Sequence, residues 1–360
     1  MGAMIMRQAL RSFAGKRVLV TGHTGFKGSW LAFLLKELGA EVTGCALPPE
    51  PGPSHFELLQ LERHITHVVL DIRDGPALRA AFESFQPEYV FHLAAQALVR
   101  RSYHDPVTTF ATNVLGSINV LEAVRQCPSV RSLVYVTSDK CYENVEWIWG
   151  YRENDRLGGH DPYSASKAAA ELVFSAYNRS YFSSRPELGA ATARAGNVIG
   201  GGDWAADRVV PDCVRAAERN QPVRLRNPRA TRPWQHVLEP ISGYLLLASR
   251  LRDDPARYGG SWNFGPSDSE VRTVEEVANA ICLALGRPPA ETDGAPASQH
   301  EAQLLQLNCD KAHRLLGWHA RWSPDKALAA TAEWYKTVLG GCDAQAVTRA
   351  QMREYFVEWP

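Results

Sequence analysis

Tyr163 and Lys167 are the two residues of this sequence whose types and spacing point most directly to chemistry. They stand four positions apart in the run YSASK, at the start of a pattern typical of a helix. Their side chains should therefore project from one helix face, about one turn apart. An ammonium beside a phenol favours the phenolate by lowering a pKa of about 10 toward neutrality. The pair predicts a general base that takes a proton from a hydroxyl.

Three consecutive polar residues precede this helix. Ser138, Asp139 and Lys140 follow the apolar run SLVYVT, which predicts a buried strand. Polar groups at the carboxyl end of a parallel strand lie where α/β proteins bind their ligands. A simple ion pair between Asp139 and Lys140, or Ser138 acting as a turn cap, would explain the same residues without catalysis. Both interpretations stay open at the level of the residues.

A glycine-rich turn separates the first predicted strand, KRVLV, from the first predicted helix, LAFLLKELGA. Such a turn presents unpaired N–H groups at the positive end of a helix, which suits a pyrophosphate. The spacing is GxxGxxG, whereas ordinary dehydrogenases carry GxGxxG. The turn predicts a dinucleotide site, with NAD as the expected cofactor. The predicted contacts are Gly22, His23, Thr24, Gly25, Phe26, Lys27 and Gly28.

The second predicted strand ends in GCALPP, without the acidic residue that usually accepts from the adenosine ribose. The choice between NAD and NADP is therefore open, and Lys27 with His23 could meet a 2′-phosphate. Asp71 ends the run HVVLDI and is expected at the adenine edge, unless it only caps the next helix. Besides Tyr163 and Lys167, the further predicted cofactor contacts are Asp71, Ile72, Leu93, Ala94, Ala95, Gln96 and Asn113.

Strands that alternate with helices along the chain predict an α/β fold. We expect a Rossmann-type doubly wound parallel sheet with right-handed crossovers and a smaller mixed α/β substrate-binding domain. The predicted nucleotide-binding domain spans 14–198 plus about 237–265. The predicted substrate domain spans 199–236 plus about 266–350. The boundary is discontinuous because ISGYLLLASRL and GGSWNFG are expected to return to the main sheet.

Composition limits the classes of partner. Lys plus Arg and Asp plus Glu both number 39 in the 360 residues, so no basic field exists to attract nucleic acid or an anionic membrane. No run approaches the roughly 18 apolar residues of a membrane span. The seven cysteines are scattered and form no CxxC, which argues against disulfides and a metal site. A small-molecule ligand and a reducing cytoplasm are expected.

The motifs TGxxGFxG, HLAAQ, a strand ending in TSD, and YxxxK together resemble the extended short-chain dehydrogenase/reductase family, over nearly the whole chain. Within that family, three runs are similar to the nucleotide-sugar 4,6-dehydratases that act on CDP-glucose. These runs are HTGFKGSWL, SDKCYENVEWIWGYRENDRLGGHDPYSASK and ARAGNVIGGGDW.

The resemblance implies a set of catalytic roles. Tyr163, assisted by Lys167, would take the O4 proton while the C4 hydride passes to NAD. The new ketone acidifies the C5 hydrogen, Lys140 would remove it, and Asp139 would protonate the leaving C6 hydroxyl. Ser138 fills the family's hydroxyl position. Related dTDP-glucose dehydratases carry Glu in place of Lys140, and an amine acts as a base only when it is uncharged.

The resemblance also implies how the substrate and a second subunit bind. The expected substrate contacts are Asn197, Arg208 and Arg232 for the diphosphate, together with Gln96 and Tyr142. The insert between Lys140 and Tyr163, whose aromatic residues are Tyr142, Trp147, Trp149 and Tyr151, is expected to close over the sugar, with packing against the protein body as the alternative. A homodimer is expected, built from the helices VTTFATNVLGSINVLEAVRQ and YSASKAAAELVFSAYNRSYF.

Three alternative functions share parts of this pattern. A nucleotide-sugar 4-epimerase needs Tyr163 and Lys167 but no second acid and base, so Asp139 and Lys140 argue against it. A UDP-linked dehydratase that inverts C5 also carries an Asp–Lys pair, but the insert CYENVEWIWGYRE favours CDP-glucose. A non-catalytic relative of the fold would be expected to lack the YSASK pair.

Overall fold

The computed structural model describes residues 2–266, 271–292, 304–357 and 359. Its strands are β1 (Arg17–Thr21), β2 (Glu41–Ala46), β3 (Thr66–Val69), β4 (Tyr89–His92), β5 (Ser132–Val136), β6 (Gly189–Ala195), β7 (Val198–Ile199), β8 (Arg224–Leu225), β9 (Thr231–Arg232), β10 (Gln235–His236), β11 (Gly260–Phe264), β12 (Arg272–Thr273) and β13 (Glu291–Thr292).

The α-helices are α1 (Gly2–Arg11), α2 (Phe26–Glu37), α3 (His55–Leu58), α4 (Gly75–Phe85), α5 (Val99–His104), α6 (Pro106–Phe110), α7 (Ser117–Gln126), α8 (Pro162–Ser180), α9 (Val209–Glu218), α10 (Leu238–Asp253), α11 (Pro255–Tyr258), α12 (Val274–Ala284), α13 (Pro324–Leu339) and α14 (Ala344–Tyr355). Short 3-10 turns occupy Leu61–Arg63, Asp139–Cys141 and Phe182–Ser184, and π-helical turns occupy Ala111–Gly116 and Ala312–Leu316.

Seven strands of the described chain form one sheet in the order β11-β6-β5-β4-β1-β2-β3, and every pairing in it is parallel. This is the doubly wound order extended by one strand, so the predicted Rossmann-type fold is confirmed. The order reverses between β1 and β4, where two crossovers leave in opposite directions. A crevice forms at such a reversal, at the carboxyl ends of the strands.

Strand β5 and helix α8 place the polar residues singled out in the sequence. All five residues of β5 are buried, as expected for a central parallel strand with helices on both faces. Helix α8 begins at Pro162, and the Asp161 carboxylate caps it by accepting from the Ser164 amide at 3.0 Å. Proline suits the first helical position because it has no N–H to leave unsatisfied. These signals fix Tyr163 in the first turn of α8.

The later strands pair in small sheets. In the described residues, β7 pairs with β10, β9 with β12, and β8 with β13. The predicted return of the chain to the main sheet is confirmed, because β11 pairs with β6 and α10 packs on β5 and β6. No helix of the described residues has the length and apolar character to cross a bilayer. The division into two discontinuous domains stays a proposal.

Helix α1 packs on α10 as part of the main core, although our predicted domain began only at residue 14. The side chains of Met6, Leu10 and Phe13 are buried, and the Phe13 ring lies 4.9 Å from the Tyr89 ring. The spacing of these residues is that of one helix face, which the sequence could have indicated. The helix was not predicted because the apolar pattern of this segment is interrupted.

Leu10→Ala is expected to destabilise the protein, because it removes a fully buried side chain and leaves a cavity. The cost should be about 2–5 kcal/mol in the free energy of unfolding. Urea denaturation at equilibrium measures it. Met4→Ala on the exposed face of the same helix is the matched control, expected within about 0.5 kcal/mol of the parent protein. Equal stability of the two variants would mean that α1 contributes nothing to the core.

Candidate active site

A cleft of about 1040 Å³ lies at the carboxyl ends of β1, β4 and β5. It brings the glycine turn, the segment 138–140 and the YSASK helix together, although more than 110 residues separate the first from the others. All of the predicted site residues line the cleft except His23 and Asn113. The predicted convergence of catalytic and cofactor residues is therefore seen in the structure.

His23 lies beneath the glycine turn and does not face the cleft. Its Nε2 is 2.7 Å from Nδ1 of His67, and its ring fills the space that a side chain at Gly44 would occupy. Burial, followed by the charge of His67, lowers the pKa of His23 to about 3, so the ring is neutral. The suggestion that His23 meets a 2′-phosphate is wrong for this geometry, since the ring is enclosed in the core.

Asn113 is also buried away from the cleft. Its Oδ1 accepts from the Gln96 amide at 2.8 Å, and its Nδ2 donates to the Gln96 carbonyl at 3.0 Å and to the Ser166 hydroxyl at 2.9 Å. These bonds join the loop after β4 to α8. Asn113 thus supports the wall of the cleft, and the predicted direct contact with a cofactor is not formed by its side chain.

The glycine turn has the shape that a pyrophosphate requires. Gly22 has φ +77°, and a Cβ there would lie 2.6 Å from the Ala94 amide nitrogen. A Cβ on Gly28 would lie 2.1 Å from the Gly22 carbonyl oxygen, so both glycines permit close backbone packing. Gly25 caps α2 without a side-chain hydrogen bond and meets little on its Cβ side. The amino end of α2 is therefore open to an anion from the cleft.

Lys27 reaches the catalytic end of the cleft. Its Nζ lies 3.4 Å from the Tyr244 hydroxyl. Burial lowers the pKa of Lys27 to about 8, with further lowering by Arg208 and Lys167 and an opposing effect of Asp139. A side chain surrounded by these groups is not available to a ribose phosphate at the other end. The suggested contact of Lys27 with a 2′-phosphate is therefore not supported.

The adenosine end of the cleft carries two carboxylates that are paired with arginines. Asp71 is paired with Arg73 at 2.6 Å, and Glu50 with Arg101 at 2.9 Å. Of these four residues, only Asp71 was predicted from the sequence. Glu50 was hidden because it lies in a proline-rich loop beyond the end of β2. Two loop carboxylates therefore line the cleft, although the end of β2 itself carries no acid.

Tyr163 lies in a buried position at the start of α8, and its amide donates to the Ser102 hydroxyl at 3.1 Å. The Lys167 amine is 6.0 Å from the centre of the phenol ring. Burial raises the pKa of Tyr163 to about 12, although a hydrogen bond with Ser138 and the charge of Arg208 act in the opposite direction. The expected lowering toward neutrality is wrong for the chain alone, because loss of solvation outweighs the favourable neighbours.

Lys167 is itself a buried cation. Burial lowers its pKa to about 8, against the opposing effects of Cys141 and Glu171. A buried ammonium is unstable relative to a hydrated one, so the fold sustains Lys167 at an energetic cost. Such a group is typical of an active site, where position matters more than stability.

A short 3-10 turn, Asp139–Cys141, follows Ser138, which caps it. The Ser138 hydroxyl donates to Asp139 Oδ1 at 3.0 Å and accepts from the Lys140 amide at 3.3 Å. Nζ of Lys140 lies 4.0 Å from Asp139 Oδ1, at the outer limit of an ion pair. The structure therefore contains both the Asp139–Lys140 contact and the Ser138 turn cap that the non-catalytic interpretations predict. They do not exclude a catalytic one, because the three side chains also line the cleft beside Tyr163.

The three residues predicted for the diphosphate line the same cleft. Arg208 pairs with Asp203 at 2.8 Å, a partner that the sequence analysis missed. Arg232 donates to the Thr231 carbonyl at 2.8 Å, and the Asn197 carbonyl accepts from the Gln235 amide at 3.2 Å. Two guanidinium groups on one wall can make forked contacts with phosphate oxygens.

Gln96 and Tyr142 line the cleft, but their polar atoms are bonded within the protein. Nε2 of Gln96 donates to the Thr109 hydroxyl at 2.9 Å. The Tyr142 hydroxyl donates to Asn263 at 2.8 Å and accepts from Arg194 at 2.7 Å. Each residue can therefore offer a substrate van der Waals contact, but its side-chain hydrogen-bonding groups are already used within the protein.

The aromatic insert does not close over the cleft. Tyr151 stacks on Tyr142 and on Trp147, and it pairs with Leu307 through a β-bridge. Trp147 and Trp149 are absent from the cleft wall. The expectation of a lid over the sugar is wrong for this geometry, because the insert packs against residues 304–308 instead. Among the residues with described positions, no cluster of three or more His, Cys, Asp or Glu could hold a metal ion.

Comparisons with known proteins agree with this geometry. The family model described as GDP-mannose 4,6 dehydratase matches residues 19–331. The chain belongs to this family. The match confirms the predicted resemblance to nucleotide-sugar dehydratases, and it spans both the glycine turn and the YSASK helix.

Individual members of the dehydratase family and related folds are also similar. A CDP-glucose 4,6-dehydratase of Salmonella typhimurium is 47% identical, covering 95% of this chain and 96% of the relative. An epimerase from Methanothermobacter thermautotrophicus is 27% identical with a TM-score of 0.79, covering 94% of this chain and 96% of that one. The UDP-glucose 4-epimerase of Thermus thermophilus, solved with NAD, is 29% identical with a TM-score of 0.75, covering 89% of this chain and 99% of that one.

Lys167→Met is expected to stabilise this family member while abolishing oxidation. The lowered pKa of Lys167 corresponds to a folding penalty on the order of 3 kcal/mol while the amine is charged in both states. Since the pKa is lower in the folded protein, the penalty is complete below pH about 8 and disappears as pH rises toward the unfolded value. Thermal melting at pH 7 and at higher pH measures the gain and its loss.

Lys336→Met is the matched control, because Lys336 is exposed on α13. It should change neither the melting temperature nor its pH dependence appreciably. A Lys167→Met variant that melts at or below the temperature of the parent protein at pH 7 would show that the buried amine is not a source of instability.

Proposed function

We propose that the protein is a CDP-glucose 4,6-dehydratase. It would convert CDP-D-glucose to CDP-4-keto-6-deoxy-D-glucose and water, with NAD as a cofactor that is unchanged over the cycle. The observation that carries the proposal is the presence of two acid–base sets in one cleft. Tyr163 with Lys167 suits oxidation, and Asp139 with Lys140 suits elimination. The 47% identity to the Salmonella dehydratase supports the same activity.

The first step requires a base at the O4 hydroxyl of glucose. Tyr163 would act as this base, because it lines the cleft next to Ser138 and has Lys167 on the same helix face. NAD, when bound, supplies a hydride acceptor at C4 and later a hydride donor at C6. The open end of α2 at Gly25 would hold its pyrophosphate. The protein must lower the pKa of Tyr163 from about 12, and the guanidinium charge of Arg208 acts in that direction.

The second step is loss of water between C5 and C6. A ketone at C4 makes the C5 hydrogen acidic, so a modest base suffices to remove it. The half-exposed amine of Lys140 would accept that proton, and the enclosed carboxyl of Asp139 would protonate the C6 oxygen, since both line the cleft. Lys140 would return its proton to C5 when the hydride reaches C6.

Arg208 and Arg232 would bind the nucleotide diphosphate. Arg208 lines the cleft just before α9 and is paired with Asp203, and Arg232 lines it from β9. Two arginines match the charge of two phosphates. The sugar would then lie between these arginines and Tyr163.

The alternative activities fit the site less well. A 4-epimerase would use Tyr163 and Lys167 but leave Asp139 and Lys140 without a task. A UDP-linked dehydratase that inverts C5 would use both sets of residues, so the identity to the Salmonella enzyme favours CDP-glucose over it.

A homodimer and a cytoplasmic location stay predictions. The helices predicted to form the dimer carry exposed apolar side chains, at Val107, Leu115 and Leu172. Exposed apolar groups on neighbouring helices support association with a second copy.

The activity is tested by incubating the protein with CDP-glucose, with and without added NAD. We expect a 4-keto-6-deoxy sugar, detected by its alkaline ultraviolet absorbance and by mass spectrometry as a loss of one water. Parallel reactions with dTDP-glucose and UDP-glucose test the nucleotide. Formation of an epimer without loss of water, or turnover of another nucleotide sugar alone, would contradict the proposal.

Two variants separate the half-reactions. Tyr163→Phe should stop reduction of NAD by CDP-glucose, because no base remains at O4. Lys140→Ala should still permit that reduction but stall before water is lost, so reduced cofactor accumulates. Single-turnover absorbance of the nicotinamide and product analysis measure the two steps. Full dehydration by Lys140→Ala would remove Lys140 from its role, and normal reduction by Tyr163→Phe would remove the phenol.

A further inference from the structure

Glu171 occupies the centre of a buried polar network behind the catalytic segment. It lies on α8 one turn beyond Lys167, and it forms an ion pair with Arg194 of β6 at 2.7 Å. Its carboxylate also accepts from the hydroxyls of Thr137 at 2.5 Å and Thr192 at 2.9 Å. Both members of the ion pair are almost completely buried. None of the steps above uses it.

The network is hydrogen-bonded to residues on both sides of the catalytic segment 138–140. Thr137 directly precedes Ser138, and its hydroxyl is bonded to Glu171. Beyond Lys140, the Tyr142 hydroxyl accepts from Arg194 at 2.7 Å, and the Arg194 guanidinium lies 4.9 Å from the centre of the Tyr142 ring. The three proposed catalytic residues therefore lie between two anchors that meet at one ion pair.

The segment needs anchors because its own backbone holds it weakly. Its 3-10 turn is closed by a Cys141 amide to Ser138 carbonyl bond at 3.2 Å and a Tyr142 amide to Asp139 carbonyl bond at 3.4 Å. These distances lie at the long end for a backbone hydrogen bond. Hydrogen bonds to charged groups are stronger than neutral ones, and buried networks that are fully connected hold one geometry. The external bonds therefore decide where Asp139 and Lys140 stand.

We propose that Glu171 is a positioning residue for water elimination, acting through Thr137 on one side and through Arg194 and Tyr142 on the other. It holds the turn that carries Asp139 and Lys140, while Tyr163 is set separately by the start of α8. The inference rests on the dehydratase activity proposed above. It predicts that disturbing the anchors slows elimination much more than oxidation.

The sharpest test is Thr137→Val, which keeps the shape of the side chain and removes one hydrogen bond to Glu171. We expect reduction of NAD by CDP-glucose to stay near the rate of the parent protein. Formation of the keto-deoxy product should fall about tenfold to a hundredfold, the usual effect of losing a hydrogen bond to a charged group. Reduced cofactor should accumulate, and Thr137→Ser should restore product formation.

Thr192→Val is the matched control. It removes a hydroxyl from the same carboxylate, but Thr192 lies inside β6 and does not adjoin the catalytic segment. Its product formation should stay within about threefold of the parent protein. Tyr142→Phe acts on the second anchor and should lower product formation to a similar extent, which provides an independent variant if Thr137→Val folds poorly.

Equal losses in both half-reactions, an unaffected Thr137→Val, or the same defect in Thr192→Val would overturn the positioning role. The parent protein in the same assay separates this result from failure of the proposed function. If the parent does not dehydrate CDP-glucose, the proposed activity is rejected. If the parent protein does dehydrate CDP-glucose, the variants test only the positioning role of Glu171.

Discussion

The whole site depends on the meeting of parallel strands at one edge of a sheet. The order of β1, β4 and β5 places the glycine turn, the loop after β4 and the segment 138–140 side by side, and α8 then adds Tyr163 and Lys167. Among the described residues that line the cleft, only Gly22 and Asp207 have backbone angles in the left-handed region. The site residues therefore come from the ends of neighbouring strands, and the rest of the fold holds those strands in register.

The same arrangement explains why the fold tolerates costly groups. Lys27 and Lys167 are cations whose pKa values are lowered by burial, and the pKa of the Tyr163 phenol is raised for the same reason. Each group is unfavourable for stability in the chain alone. A protein built only for stability would fill these positions with apolar side chains, so their presence is itself a sign of catalysis.

Much of the fold and the core of the site could be predicted from local patterns. Apolar strands, the glycine turn and the Pro162 start of α8 are signals within a few residues of one another. Features that depend on distant contacts were missed. The burial of His23 depends on His67 and Gly44, and the position of the insert depends on Leu307. The pKa of Tyr163 was misjudged because the sequence shows neighbouring charges but not the loss of solvent.

The hydroxyl of Ser138 touches both halves of the proposed chemistry. It donates to the Asp139 carboxylate at 3.0 Å, and it also acts to lower the pKa of the Tyr163 phenol. In the proposed reaction, this hydroxyl would offer a path by which a proton taken from the sugar by the phenol reaches the carboxylate. The proton removed from O4 in the first step would then leave with the C6 oxygen as water in the second.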